Sequence, residues 1–187
     1  MMTTPRLTVG DAAPELTVLT TAGEMVNVST HWKEGITLLT FLRHFGCLFC
    51  REWLSMLGKA EGEITAAGLQ VVAIGLGEPK HAERYCGKLA PQATCLTDST
   101  NGSHFSYGIG RATVGAFVNP ALIRAGVRAT GGKHFPGTPT GDVALLPATF
   151  LVDREGIIRY AYYSEHAGDH PVLADLLAAG AALRQPA

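Results

Sequence analysis

Two cysteines three residues apart, Cys47 and Cys50, carry the strongest chemical signal in the sequence. A thiol in water has a pKa near ~8.5 and is only a few per cent ionised at neutral pH, yet the thiolate is the nucleophile. At the start of a helix, where the dipole favours negative charge, the pKa falls to ~7 or below. Three residues are about one helical turn, so the two sulfurs can bond to each other without moving the backbone. An attacking thiol with a built-in resolving thiol is what a redox cycle requires. That reading needs both sulfurs close together and within reach of solvent.

The residues around the pair predict such a placement. Ile36 to Leu42 is a continuous apolar run, as in a strand covered on both faces. Gly46 marks a turn, and Leu54, Leu57 and Ile64 then recur at helical spacing until Gly68. Arg43 and Arg51 flank the thiols and supply positive charge, and His44, three residues before Cys47, could poise a proton there. Arg43, Arg51 and Arg159 read equally well as partners of solvent or of a carboxylate. A zinc site is the competing use of the pair, completed by Cys86 with Cys95 or by His166 with His170. The spacing of these candidates is poor for it. Cys86 and Cys95 are expected to be core or helix-face thiols, with a second resolving role as the alternative.

Before this centre, Leu16–Leu19 and Met25–Val28 around Thr21-Ala-Gly23-Glu predict an edge hairpin. After it come a strand at 69–74, a helix opened by Glu78-Pro79 and running to about Leu89, and a short strand at 93–96. Residues 101–129 are mostly helical in pattern, broken by Gly108, Gly110 and Asn119-Pro120. Residues 130–142 form a Gly/Pro-rich loop suited to a mobile cover or a long crossover. Ala148–Val152, the turn Asp153-Arg-Glu-Gly156 and Ile157–Tyr163 are the strongest hairpin signal. A last helix is expected with Asp169 as its cap, Pro171 in its first turn and an inner face of Val172, Leu173, Leu176, Leu177 and Leu183. Strands alternating with helices, then a late hairpin, predict a single α/β domain over 1–187 with a central mixed sheet.

Composition excludes several classes. The chain has 187 residues, 47% hydrophobic and 17% charged, with net charge −1. No nucleic-acid footprint or basic membrane patch is present, no run reaches the ~18 apolar residues of a membrane span, and the first residues lack the apolar core of a secretory signal. Four cysteines are too few for a disulfide scaffold, so a reducing, cytoplasmic setting is the expectation. The glycine-rich segments at 75–80, 108–113 and 131–134 fail the dinucleotide and P-loop spacings.

The run Phe41-Leu-Arg43-His44-Phe45-Gly46-Cys47-Leu-Phe-Cys50-Arg51-Glu52 resembles the signature of the peroxiredoxin-like branch of the alkyl hydroperoxide reductase/thiol-specific antioxidant superfamily. Gly10-Asp11-x-x-Pro14, the hairpin beginning at Pro147 and Gly168-Asp169-His170 resemble the same group, so the similarity spans nearly the whole chain. The resemblance implies a thioredoxin-like fold, an inserted helix and loop before the Pro147 strand, and a cis bond at Pro147 beside the thiols. One departure stands out. Peroxiredoxins proper carry Thr-x-x-Cys, and here Cys47 replaces the threonine. Thioredoxin-like logic makes Cys47 the nucleophile and Cys50 the resolver, whereas peroxiredoxin alignment makes Cys50 the attacking thiol; we favour Cys47.

These readings imply a thiol-dependent enzyme that reduces hydroperoxides through a Cys-x-x-Cys cycle. Cys47 and Cys50 are its catalytic residues, and Arg43, His44, Gly46, Arg51 and Pro147 surround the substrate or the thiolate. No metal, flavin or nicotinamide cofactor is called for. The implied partners are a peroxide or disulfide substrate and an external thioredoxin-like dithiol; a homodimer is compatible with the reading. A disulfide reductase without peroxidase activity is the first alternative, and a non-catalytic zinc-binding or regulatory module the second.

Overall fold

The computed structural model describes residues 5–113 and 119–184. Its elements run β1 (Thr17–Leu19), β2 (Met25–Asn27), α1 (Ser29–Glu34), β3 (Ile36–Leu42), α2 (Leu48–Lys59), α3 (Glu61–Ala66) and β4 (Leu69–Leu76). A helical stretch follows, made of α4 (Pro79–His81), a π-turn (Ala82–Cys86) and α5 (Gly87–Leu89). Then come β5 (Thr94–Asp98), α6 (Gly102–Ser106), α7 (Pro120–Gly131), β6 (Ala148–Val152), β7 (Ile158–Tyr163) and α8 (Leu173–Leu183). Part of the expected helical stretch at 101–129, residues 114–118, lies outside the described residues.

All seven strands join one mixed sheet in the order β2-β1-β5-β4-β3-β6-β7. β3, β4 and β5 are parallel, while β6 runs antiparallel to β3 and β7 antiparallel to β6. β3 is apolar apart from Thr37 and Thr40, because both of its faces are covered. Leu38 and Leu42 join the core under α2, α3 and α8, and Leu39 and Phe41 join the opposite core with Trp32, Tyr107 and Phe150. Thr40 bonds Thr149 Oγ1 at 3.2 Å and accepts from Trp53 Nε1 at 3.0 Å. That bond pins α2 to the central strand.

The junction from β3 to α2 depends on one glycine across the sheet. Phe45 is fully buried and brings the tip of its ring against Gly75 of β4, where a Cβ would stand 2.7 Å from Cζ. The chain then turns, with Cys47 N–H donating to His44 O at 3.1 Å, and α2 begins.

Several expectations are corrected. No cis peptide bond occurs among the described residues, so Pro147 is trans. The approach to β6 is fastened on both sides of that proline: Leu146 N–H donates to Gly110 O at 3.1 Å, and Pro147 O accepts Ser164 N–H at 3.2 Å. The cheaper isomer of an X–Pro bond satisfies both. Asp169 does not cap the last helix, which starts four residues later behind Val172. Its carboxylate instead accepts from Tyr162 Oη at 2.6 Å and Glu165 N–H at 2.7 Å, closing the turn after β7. Val172 is exposed and Leu176 forms the buried contact of α8. Cys86 and Cys95 are not free thiols; they are bonded to each other, with Cα atoms 5.9 Å apart.

Candidate active site

The Cys47 sulfur sits at the N-cap of α2, the position where a side-chain acceptor meets unpaired helix N–H groups. No side-chain cap hydrogen bond forms here, but the groups around the sulfur favour its charged form. The Cys50 thiol donates to it, Arg43 stands beside it, and the N–H groups of Cys50 and Phe49 point at it. These contacts outweigh burial and pull the Cys47 pKa down to about 6. Cys50 is pushed the other way by burial and by the neighbouring Cys47 sulfur, well above the ordinary thiol value. The pair is therefore polarised into one thiolate and one thiol at neutral pH. Both cysteines are unbonded.

Arg43 is buried and serves two neighbours. One terminal nitrogen lies 3.4 Å from Cys47 Sγ, Nε donates to Leu145 O at 2.7 Å, and the other terminal nitrogen donates to Val143 O. Arg51 faces the other end of the same loop, donating to Phe135 O at 2.6 Å with its guanidinium over the Tyr85 ring at 5.3 Å. His44 is buried, and burial together with the Arg43 charge lowers its pKa to about 4. Its Nδ1 faces Thr140 N–H at 3.5 Å, so it holds the loop and does not bond the thiol. Arg159 pairs with Asp153 at 2.5 Å, part of the β6–β7 turn. Pro147 enters β6 and its carbonyl is bonded to Ser164, so it offers no such group to the sulfurs.

The expectation of an open site is corrected. Cys47 is 5% exposed and Cys50 0%. The cover is the loop 132–145, which follows α7 and has no helix or strand of its own. Thr140 Oγ1 accepts Phe45 N–H at 3.1 Å and donates to Leu76 O at 2.7 Å, while Gly137 N–H donates to Gly46 O at 2.9 Å. Gly46 has its own reason here: a Cβ on it would overlap the Thr138 carbonyl oxygen. Glycine lets the two backbones meet directly above the first thiol. The sequence offered residues 130–142 as a mobile cover or a long crossover but carries no local signal of what they rest on, because those contacts join residues 64–100 positions apart.

Behind α2 lies a supporting layer that sequence reasoning missed. Glu52 is buried and bound through both oxygens by Arg128 of α7, at 2.8 and 2.9 Å, and the same guanidinium reaches Gly168 O at 3.1 Å. His170 stacks on Trp53 at 5.1 Å between centroids, and its Nε2 meets Phe49 O at 3.2 Å. Burial lowers its pKa to about 4, so the ring is neutral and donates from Nε2. Phe49, between the thiols, is thereby held from behind. The zinc alternative loses its ligands, since Cys86 and Cys95 are joined and His170 faces a carbonyl.

Comparison with known proteins identifies the family and the fold. The AhpC/TSA family profile matches residues 9–161. A prostamide/prostaglandin F synthase of Danio rerio is 43% identical over 56 residues, covering 30% of this chain and 28% of that protein. The Xenopus tropicalis protein of the same name is 28% identical over 138 residues, 72% of this chain and 68% of that one. Among solved structures, peroxidoxin BcpB from Mycobacterium tuberculosis superposes with a TM-score of 0.66 at 15% identity, covering 95% of this chain and 98% of that chain. The last similarity establishes the thioredoxin-like peroxiredoxin fold, and the family supports a thiol-dependent redox role. With the match running through the thiols, the cover and the hairpin, the chain belongs to the AhpC/TSA family.

Proposed function

We propose that this protein is a cytoplasmic dithiol peroxidase in which Cys47 attacks and Cys50 resolves. The Cys47 thiolate attacks one oxygen of a hydroperoxide; the S–O bond forms, the O–O bond breaks, and the departing alkoxide or hydroxide takes a proton from water. The Cys50 thiol then displaces hydroxide from the sulfenic acid, giving the Cys47–Cys50 disulfide and water. An external thioredoxin-like dithiol returns both thiols and leaves as a disulfide. The observation that carries this reading is the polarised pair at the head of α2, with a thiolate at one sulfur and a proton donor at the other. Turnover requires the loop 132–145 to lift, because peroxide must reach a sulfur that is 5% exposed.

The test is to mix reduced protein with hydrogen peroxide and count thiols. Two thiols lost per peroxide, with a Cys47–Cys50 bond located by peptide mass spectrometry, is the expected result. Cys47→Ser should abolish consumption, and Cys50→Ser should stop at a sulfenic acid that a dimedone probe traps. Thiols left intact by peroxide but active on insulin disulfides would replace this reading with a thioredoxin-like disulfide reductase.

One observation favours an organic substrate larger than hydrogen peroxide, in keeping with the name of the vertebrate relatives. A cavity of about 600 Å³ lies between α7 and residues 166–173, lined by Met56, Ala125, Arg128, His170 and Val172. Its wall rests on Phe49, between the two thiols, through the His170 bond to Phe49 O and the close approach of Gly168 to the Phe49 ring. Comparing turnover of hydrogen peroxide with that of a bulky organic hydroperoxide tests it; equal kcat/KM values would remove the cavity from the reaction.

A further inference from the structure

We infer that the Cys86–Cys95 disulfide is a second redox site, reached from the far side of the π-turn, and that its state sets how tightly the 132–145 loop covers Cys47. The inference builds on the reading of Cys47 as the attacking thiol, but its test does not use peroxide turnover.

Cys86 is the last residue of the π-turn Ala82–Cys86, and Cys95 lies in β5 opposite Ala73 of β4. The residues are only nine apart, so closing this ring restricts the unfolded chain less than a longer one would. Both cysteines belong to a buried core cluster that also holds Ala73, Ala82, Ala90 and Ala93. In a reducing compartment a disulfide is more often a transient, sensing bond than a brace. Access is unequal. Cys86 is fully buried, whereas Cys95 is 7% exposed and lines a cavity of about 340 Å³ with Thr20, Glu83, Gly87 and Pro91, so a dithiol reaches it only when that wall opens. An incoming dithiol therefore attacks the Cys95 sulfur. The S–S bond to Cys86 breaks, Cys86 leaves as a thiolate and is protonated, and the donor's second thiol resolves the mixed disulfide. Cys86 and Cys95 end as thiols and the donor as a disulfide.

The link to the cover runs through Tyr85, the neighbour of Cys86. Its ring lies under Arg51, which holds Phe135 O, and its hydroxyl is 3.1 Å from where a Cβ of Gly137 would stand. Gly137 in turn bonds Gly46 O, one residue before Cys47. A π-turn is a rare helical form found mostly at functional sites, and here the disulfide pins its last residue to the sheet. Reduction unpins that residue, lets the turn rewind and carries Tyr85 from beneath Arg51 and Gly137. The cover loosens when external dithiol is plentiful, the condition under which Cys47 can be regenerated after each attack.

The experiment measures alkylation of Cys47 by iodoacetamide at pH 7, read by peptide mass spectrometry in a Cys50→Ser background so that Cys47 stays a free thiol. Prior treatment with dithiothreitol, or Cys86→Ala with Cys95→Ala, should speed alkylation roughly tenfold over protein whose second pair is oxidised, as expected for a local opening made easier. Tyr85→Ala should give the fast rate with the pair still oxidised. Should the double variant not fold, the dithiothreitol and Tyr85→Ala arms decide. Equal rates across these states, or a pair that dithiothreitol leaves oxidised in the folded protein, would overturn the inference and make Cys86–Cys95 a structural brace.

Discussion

Arg43 holds the Cys47 sulfur and the loop above it with the same guanidinium. One nitrogen lies 3.4 Å from Sγ, and the others bind the carbonyls of Val143 and Leu145. The cation that favours the thiolate is thus aimed by the cover itself. Lifting the residues around Val143 takes away one of its anchors.

Replacing Arg43 by Met should raise the Cys47 pKa and lower the thiolate fraction at pH 7. A thiol with a pKa of about 6 is mostly ionised at that pH, whereas one near ~8.5 is only a few per cent ionised, so the ceiling of the effect is roughly thirtyfold. Cys50→Ala should act in the same direction, because the Cys50 thiol is the foremost contributor to the low value. The ultraviolet absorbance of the thiolate, followed against pH, reads both shifts; an unmoved midpoint in both variants would refute this account of the low pKa.

Gly46→Ala should unseat the cover. The added methyl would overlap Thr138 O, and relief by backbone movement costs about 1–3 kcal/mol. We expect a lower Tm together with faster alkylation of Cys47. Gly62→Ala, in the exposed helix α3 with open space where its Cβ would stand, should instead stabilise by about 0.5–1 kcal/mol. Thermal melts of the two variants give opposite signs if close approach, and not helix propensity, is what matters at position 46.

The strand-to-helix junction and the β6–β7 hairpin were legible because each is encoded locally, by a mostly apolar run to Leu42 with Gly46 shortly after it and by a turn at Asp153–Gly156. Helix α1 was not. It has six residues, no side-chain cap at Val28, and mainly Trp32 to mark a buried face. The pairing of Cys86 with Cys95 was hidden for a different reason: the thiols belong to separate elements, brought together only when β5 takes its place beside β4. Asp169 looked like a helix cap because its residue type and position suit one, and the competing Tyr162 hydroxyl comes from β7.

The Glu52–Arg128 pair should respond unequally to loss of either partner. Arg128→Met leaves a buried carboxylate with no cation and should cost about 2–4 kcal/mol at neutral pH. Glu52→Gln leaves a guanidinium that is about half exposed and keeps its water, so the cost should be smaller, about 1 kcal/mol. Urea unfolding of the two variants at neutral pH checks both statements.

Acid should destabilise the protein through His104 and His170. His104 is fully buried and His170 partly so, and loss of water holds each ring's pKa down to about 4 against an ordinary 6.5. Between these values the unfolded chain binds protons that the folded one does not, so stability is complete above about 6.5 and falls as pH drops toward 4. The slope is at most about 1.4 kcal/mol per pH unit for each ring. His170→Asn should flatten the fall in unfolding free energy between pH 6.5 and 5; an unchanged slope would contradict the neutral state assigned to that ring.

The bare patch at Gly75 governs where the first sulfur emerges. A methyl there would strike the Phe45 ring, and no flexible side-chain end is available to yield. The ring would have to rise off β4, dragging the two residues that follow it and turning Cys47 away from the N–H groups of Phe49 and Cys50. The acidity of one thiol is in this way decided by something left out of a neighbouring strand, on a residue that touches neither sulfur nor substrate.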